Sequence, residues 1–327
     1  MATCKDTNDN KISYVMWQIK GLAIISVVFA HCNIQMDGLE IGYLQRIMSN
    51  IGSVGVGLFL FVSGFYFKCC DLKKKEYIKS KIKMLILPWV IASSFVWLYI
   101  VLRKGGISLN GYLRFVLGVG SIYYYMTNYV LIYTIFCIID KTIGITNIIC
   151  VVLILIGQLF LMLEVAGYCF FPTPYLDFIY FSAFFSLGVL AKANIKLFIY
   201  LSKGIDKFYM IGIVLALLIL FMPMEVSYFG NNFSLLLEIY FIVIIFLTLM
   251  VIQTDNKILY DLGKTSFYIY LWHIPIAGIV SKLGSYSIYT AYMSAFWPFT
   301  IIFIVVLVMF LIKKCINPKY YYLFGLR

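Results

Sequence analysis

Long apolar runs dominate this chain and constrain its fold most strongly. A run of about 18–22 residues with few charges is long enough to cross a bilayer as an α-helix. Because 63% of the residues are hydrophobic and only 12% are charged, the composition excludes an ordinary soluble domain. The sequence therefore predicts an all-α, polytopic membrane protein with about ten transmembrane helices in one bundle. The ten runs are 19–36, 48–67, 85–102, 119–139, 144–163, 175–191, 208–223, 232–252, 265–281 and 291–312.

The distribution of basic residues predicts the orientation in the membrane. With the N-terminus in the cytoplasm, 21 of the 26 lysines and arginines fall on the cytoplasmic side. Short cytoplasmic loops of membrane proteins are enriched in these residues. We therefore expect both termini in the cytoplasm, with 1–18 as an N-terminal segment, 19–312 as the membrane domain and 313–327 as a C-terminal tail. The net charge of +12 is spread over short loops, which favours contact with membrane lipid and not with nucleic acid.

The cysteine pattern gives no sign of a metal centre. The eight cysteines contain no CxxC pair and no repeated spacing, whereas zinc sites and disulfide frameworks show such regularity. We predict no metal and no permanently bound cofactor.

The two histidines of the chain both lie inside apolar runs. An ionisable residue at membrane depth is costly and marks a candidate functional site. Lys20 lies eleven residues before His31, and eleven residues rotate an α-helix by about 1100°, only ~20° past three full turns. Both side chains are therefore predicted on one helix face, about 16 Å apart along the axis. A topology anchor at Lys20 and an interhelical hydrogen bond at His31 remain alternatives.

Other polar residues in apolar runs are further candidates. His273 lies two residues before Pro275, which lacks a backbone N–H and so frees the carbonyl of Leu271. The tyrosine-rich segment 123–130 fits a carbohydrate groove or an interfacial aromatic belt. Helix packing is the alternative for all of them, and Gly55, Gly57 and Gly64 favour close packing. The candidates for the acceptor site or its supporting groups are His273, Glu238, Ser63 and Tyr270.

Five segments, taken in order, resemble the membrane acyltransferase-3 family of bacterial O-acyltransferases. The family's first helix carries a basic residue, ten intervening residues and a histidine, as in KGLAIISVVFAH (20–31). The other similar segments are FLFVSGFYF (59–67), KSKIKMLILPW (79–89), YFSAFFSLGVLAK (180–192) and LGKTSFYIYLWHIPI (262–276). The similarity covers nearly the whole chain.

The resemblance implies an enzyme of the bacterial cytoplasmic membrane. Such an enzyme moves an acyl group, usually acetyl, from cytoplasmic acyl-CoA to a hydroxyl of a cell-surface or lipid-linked saccharide. The resemblance makes His31 the catalytic residue, and a neutral imidazole there can act as a general base. A transporter or exporter of a polysaccharide or small solute is the alternative, because intramembrane His, Lys and Glu also suit a proton relay. A non-catalytic partner in envelope assembly is a third interpretation.

The chain departs from the family's basic residues at two positions. The first helix usually carries arginine where this chain has Lys20, and lysine keeps the charge but loses the bidentate fork. The motif before the third helix usually carries two arginines, and here Lys81 matches the first while Met84 occupies the second. We expect the donor's phosphates to bind lysine ammonium groups. The predicted donor-binding residues are Lys20, Lys79, Lys81 and Lys83.

Overall fold

The computed structural model describes residues 3–31, 42–68, 75–106, 108–204, 206–221, 226, 230–252, 255–283 and 291–326. Every regular element within these ranges is helical, which confirms the all-α prediction. The α-helices are α1 Thr3–His31, α2 Gly42–Phe65, α3 Lys75–Lys81, α4 Leu87–Lys104, α5 Leu109–Val116, α6 Tyr124–Thr142, α7 Asn147–Val165, α8 Phe178–Ala193, α9 Ile195–Gly204, α10 Asp206–Phe221, α11 Ser234–Ile252, α12 Lys257–Leu283 and α13 Ala291–Cys315. One π-helical turn (Ile82–Ile86) and two 3₁₀ segments (Pro174–Leu176 and Pro318–Phe324) complete them.

Several of these helices can cross a membrane by length and composition. In the described ranges six stretches qualify, and α8 with the first part of α9, bent by 80°, would be a seventh. The six stretches are Asn10–His31, Arg46–Phe65, Ile78–Arg103, Asn147–Val165, Ser234–Ile252 and Phe296–Cys315. These helices support a multi-pass membrane protein.

Three predicted spans coincide with helices that do not qualify as membrane spans by length and composition within the described residues. These predicted spans are 119–139, 208–223 and 265–281. They correspond to α6, α10 and α12. The described stretch Met210–Phe221 of α10 is apolar but shorter than 18 residues. Tyrosines and Asn128 dilute the apolar character of α6, and Tyr268, Tyr270 and His273 do the same in α12. The total of ten spans and the orientation of the termini therefore stay predictions.

The chain divides into two compact units, which we call unit A and unit B. Unit A comprises residues 1–67, 145–168 and 179–266, and unit B comprises residues 68–144, 169–178 and 267–327. Helix α1 and its neighbour α2 belong to unit A, whereas α3 to α6 and α13 belong to unit B. Each unit carries some of the candidate residues.

Glycines bring the backbones of unit A into direct contact. A Cβ atom added at Gly21 of α1 would overlap the carbonyl oxygen of Leu259, and one added at Gly263 of α12 would overlap the carbonyl oxygen of Trp17. Small residues allow such close crossings between membrane helices. The first turns of α12 therefore hold α1 next to Lys20.

A second glycine crossing joins α2 to α8. A Cβ atom at Gly64 would overlap the carbonyl oxygen of Phe185, and one at Gly188 would overlap the carbonyl oxygen of Phe61. The predicted packing role of Gly64 is confirmed by this reciprocal contact. Large aromatic side chains fill the space around it, and Phe61, Phe65 and Phe185 are almost completely buried.

Candidate functional site

Helix α1 joins Lys20 to His31 without a break. Because α1 is helical from Thr3 to His31, the eleven-residue spacing places both residues on one face, about 16 Å apart along the axis. His31 is the last described residue of the helix and is half-buried, and residues 32–36 of the predicted first span lie outside the described residues. Helix α1 also begins well before residue 19, inside the segment that the sequence assigns to the N-terminal cytoplasmic part.

Helix α2 packs against the end of α1 that carries His31. A Cβ atom added at Gly52 would lie 2.6 Å from the Cβ and 2.8 Å from the amide nitrogen of Ala30. The hydroxyl of Ser26 donates a hydrogen bond to the carbonyl oxygen of Ile51. Helix α2 therefore contacts α1 directly at Ala30, the residue before His31, and also at Ser26.

Lys20 lies over an aromatic ring at the other end of the pair. Its Nζ is 4.6 Å from the centroid of the Trp17 ring, a cation–π distance. The Trp17 ring meets Tyr260 edge-on, with centroids 6.5 Å apart, and Lys264 Nζ lies 4.3 Å from the Tyr260 centroid. Lys264 is therefore a second cation on the same aromatic cluster. Sequence reasoning missed it, although it lies in the LGKTSFYIYLWHIPI segment.

Ser63 and Glu238, both in unit A, have different surroundings. The hydroxyl of Ser63 donates to the carbonyl of Phe59 in its own helix at 2.8 Å, which fits a packing role. Glu238 is fully buried in α11, and Tyr180 donates to its Oε1 at 3.1 Å. Within the described residues, no hydrogen bond reaches the buried Oε2. A buried acid with so little compensation is costly, so Glu238 remains a candidate functional residue.

The hydrogen bonds of His273, in unit B, identify its tautomer. His273 is fully buried in α12, and its Nδ1 lies 3.1 Å from the carbonyl oxygen of Ile269 and 2.8 Å from that of Tyr270. A carbonyl oxygen can only accept, so Nδ1 must carry the proton. The Nε2 atom of a neutral His273 therefore presents a lone pair.

A tyrosine hydroxyl replaces the hydrogen bond that Pro275 cannot donate within α12. Pro275 has no N–H to donate to the carbonyl of Leu271, and the hydroxyl of Tyr123 donates to that oxygen at 3.4 Å. The hydroxyl of Tyr270 donates to the carbonyl of Ile122 at 2.6 Å. Both tyrosines therefore hold the segment before α6 against α12, and the hydroxyl proton of Tyr270 is engaged in that contact.

The predicted donor lysines 79, 81 and 83 lie together in unit B and are all exposed. Lys79 and Lys81 end α3, and Lys83 lies in the π-helical turn that follows. Such turns are rare and are frequent at functional sites. Lys81 Nζ is 5.9 Å from the centroid of the Tyr133 ring, and Lys83 Nζ is 4.3 Å from that of Tyr322.

A half-open cavity of about 290 Å³ adjoins this turn. Its lining combines one ammonium group, one aliphatic hydroxyl, two apolar side chains and one aromatic ring. The lining residues are Ser80, Lys81, Met84, Leu85 and Tyr129. Met84 thus forms part of a cavity wall.

The C-terminal tail also reaches this region of unit B. The indole N–H of Trp272 donates to the carbonyl of Phe324 at 3.1 Å, and Leu326 is buried. This docking presents Tyr322 to Lys83. No local sequence signal identified Tyr322, because its partners lie far away along the chain.

In the part of the chain that the structure describes, no group of three His, Cys, Asp or Glu side chains is arranged to hold a metal ion. The histidines and Glu238 offer acid–base groups, and the lysines offer cations for anionic ligands. No curated protein and no solved structure matches the chain. A family model described as "Acyltransferase domain" matches residues 18–314, a range that contains every candidate residue named above except those of the C-terminal tail. The chain belongs to the acyltransferase-3 family and is an acyltransferase that transfers groups other than aminoacyl groups.

Proposed function

We propose that this protein moves an acetyl group from cytoplasmic acetyl-CoA to a hydroxyl of a cell-surface or lipid-linked saccharide, in the cytoplasmic membrane of a bacterium. Family membership supports acyl transfer, and the long apolar helices support the membrane location. The observation that carries the residue assignment is the unbroken helix α1, which aligns Lys20 with His31.

The proposal includes ten spans and cytoplasmic termini. The placement of 21 of 26 lysines and arginines on one side supports that orientation. With the predicted first span at 19–36, Lys20 lies near the cytoplasmic surface and His31 lies about 16 Å deeper along α1. A phosphate-bearing donor that enters from the cytoplasm meets the lysines first.

The lysines predicted to bind the donor's phosphates are Lys20, Lys79, Lys81 and Lys83. Aromatic rings under Lys20, Lys81 and Lys83 orient these ammonium groups without neutralising them. Ammonium N–H donors form strong hydrogen bonds to phosphate oxygens. A lysine gives weaker geometric control than an arginine fork, and the ring contacts offset part of that loss.

His31 is assigned the role of general base. Its neutral imidazole accepts the proton of the acceptor hydroxyl as that oxygen attacks the thioester carbonyl. A C–O bond forms, the C–S bond breaks, and the leaving CoA thiolate takes the proton back from the imidazolium. Glu238, on unit A, and His273, on unit B, are each proposed as a candidate for the acceptor site or a supporting group.

A transfer assay tests the proposal. Purified protein in nanodiscs receives acetyl-CoA labelled in the acetyl group and saccharide extracted from envelopes of cells that lack the gene. Labelled saccharide and free CoA are expected in equal amounts, and both should fall at least 100-fold in His31→Gln. Thr134→Val is the matched control, because the Thr134 hydroxyl donates to Val130 in its own exposed helix turn. Saccharide transport without CoA release would favour the transporter interpretation instead.

A further inference from the structure

We propose that helix α9 lies along the membrane surface and binds the headgroup of an anionic phospholipid. The axis of α9 turns by 80° from that of α8, so α9 does not continue the path of α8 through a bilayer. In this arrangement Lys192 and Lys196 contact the lipid phosphate, while Leu197 and Tyr200 reach into the lipid beside it. Lipid binding by α9 does not depend on acyl transfer.

Two lysines place the bend between α8 and α9 at the membrane surface. Lys192 precedes the bend, Lys196 follows it, and both side chains are exposed. An exposed ammonium group inside the hydrocarbon core is costly, so a span that is broken at this point is unfavourable. Helix α8 has 16 residues and is about 24 Å long, which is close to the ~30 Å thickness of the core. A bend at its end therefore leaves α9 in the plane of the surface.

The exposed side of α9 changes from charged to apolar around the helix. At about 100° per residue, Tyr200 points about 40° away from Lys196, and Leu197 points about 60° further round. All three side chains are exposed. An ammonium group suits the headgroup layer, a tyrosine suits the interface and a leucine suits the acyl chains. This order is the one expected of a helix that lies in the lipid surface.

The opposite side of α9 is anchored within unit A. The ring centroid of Phe198 lies 5.3 Å from that of Phe246 in α11, and Phe246 lies 5.4 Å from Phe61 of α2. Phe61 and Phe246 are almost completely buried. At the bend, the carbonyl of Asn194 accepts from the amide of Leu197 at 2.9 Å, and its side-chain amide donates to the last turns of α8 at 2.9 Å. These contacts fix which side of α9 is exposed.

The charge of this surface favours an anionic partner. Residues 178–205 contain lysines and no aspartate or glutamate. Lys192 Nζ lies 4.9 Å from the centroid of the Phe65 ring, a cation–π distance that orients the ammonium group near the bend. In the proposed orientation these lysines lie on the cytoplasmic side, where anionic lipid headgroups attract basic segments.

The apolar residues distinguish a phospholipid from a soluble anion. A free phosphate can contact the two lysines but gains nothing from Leu197 or Tyr200. A phospholipid offers a phosphate and acyl chains on one molecule, so both parts of the exposed side contribute to its binding. Affinity that depends on the lysines and on Leu197 together is therefore the property that identifies the lipid.

The test measures dissociation constants by native mass spectrometry, with the full chain in detergent. The probes are anionic phosphatidylglycerol, zwitterionic phosphatidylcholine and glycerol 3-phosphate, which has the phosphate without acyl chains. Each lysine at a lipid surface contributes about fivefold in affinity, so Lys192→Gln/Lys196→Gln should weaken phosphatidylglycerol binding about 25-fold. Leu197→Ser should weaken it about tenfold through lost apolar contact. Lys141→Gln/Lys314→Gln, which removes two exposed cations from unit B, is the matched control and should bind like the wild type.

Phosphatidylglycerol binding that is equal in Lys192→Gln/Lys196→Gln and in the control would overturn the inference. If the double variant does not fold, the wild-type protein decides, because equal affinity for the two phospholipids, or equal affinity for glycerol 3-phosphate, would also overturn it. A second copy of the chain on this surface is a further contrary outcome. It would appear as a dimer that Tyr200→Ser dissociates, with no preference for phosphatidylglycerol.

Discussion

The packing of α2 against α1 makes Gly52→Ala a sensitive probe of His31. The new methyl carbon would lie 2.6 Å from the Cβ and 2.7 Å from the Cα of Ala30. Carbon atoms in contact are normally about 3.5–4.0 Å apart. Relief of this overlap requires a movement of about 1 Å between the helices, and Ala30 carries its neighbour His31 with it.

This movement should affect activity more than stability. Overpacking of a close contact costs about 1–3 kcal/mol, and the better helix propensity of alanine offsets about 1 kcal/mol of that. The net loss of stability for Gly52→Ala is therefore about 0–2 kcal/mol, which the fold can tolerate. A displacement of about 1 Å at a reacting group can lower the rate by about 100-fold.

The assay compares acetyl transfer with thermal unfolding in detergent. Gly52→Ala should keep an apparent melting temperature within several degrees of the wild type and lose about 10-fold to 100-fold in transfer rate. Gly278→Ala is the matched control, because an added Cβ there meets nothing within 4 Å. It should preserve both properties. Full transfer activity in Gly52→Ala would refute the argument that α2 positions His31.

Two further predictions concern buried polar contacts. Tyr123→Phe removes the hydrogen-bond donor to the carbonyl of Leu271 and should lower the free energy of unfolding by about 1 kcal/mol. In a Pro275→Ala background the restored backbone N–H supplies that donor, so a double-mutant cycle in thermal unfolding should show coupling. Strict additivity of the two substitutions would contradict this account. Glu238→Gln keeps an acceptor for the Tyr180 hydroxyl and should unfold like the wild type, whereas Glu238→Leu removes that acceptor and should cost about 1–3 kcal/mol. Equal melting temperatures for the two variants would argue against the contact.

Local periodicity explains what the sequence could predict. The alignment of Lys20 with His31 requires only that the residues between them form a regular helix, and α1 confirms that. The free carbonyl created by Pro275 follows from proline's covalent structure. Hydropathy was less informative for α6, because its tyrosines face neighbouring rings and Asn128 donates to the carbonyl of Tyr175 at 2.8 Å.

Contacts between residues far apart in the chain could not be predicted. Tyr322 under Lys83 and Tyr123 beside Leu271 have no local signature, since tertiary packing alone creates them. The start of α1 was also missed, because apolar content indicates the membrane-spanning part of a helix and not its polar extension. Met84 lines the cavity from within the π-helical turn, and the sequence pattern did not indicate that turn.

Chemical rescue of His31→Ala tests the central claim most directly, namely that the imidazole at the end of α1 performs the proton transfer. The variant is assayed for acetyl transfer in nanodiscs with and without added imidazole, and Gly278→Ala is treated in parallel. We expect His31→Ala to be nearly inactive and to regain transfer as imidazole is added, with no response in the control. Full activity of His31→Ala without imidazole would contradict the mechanism.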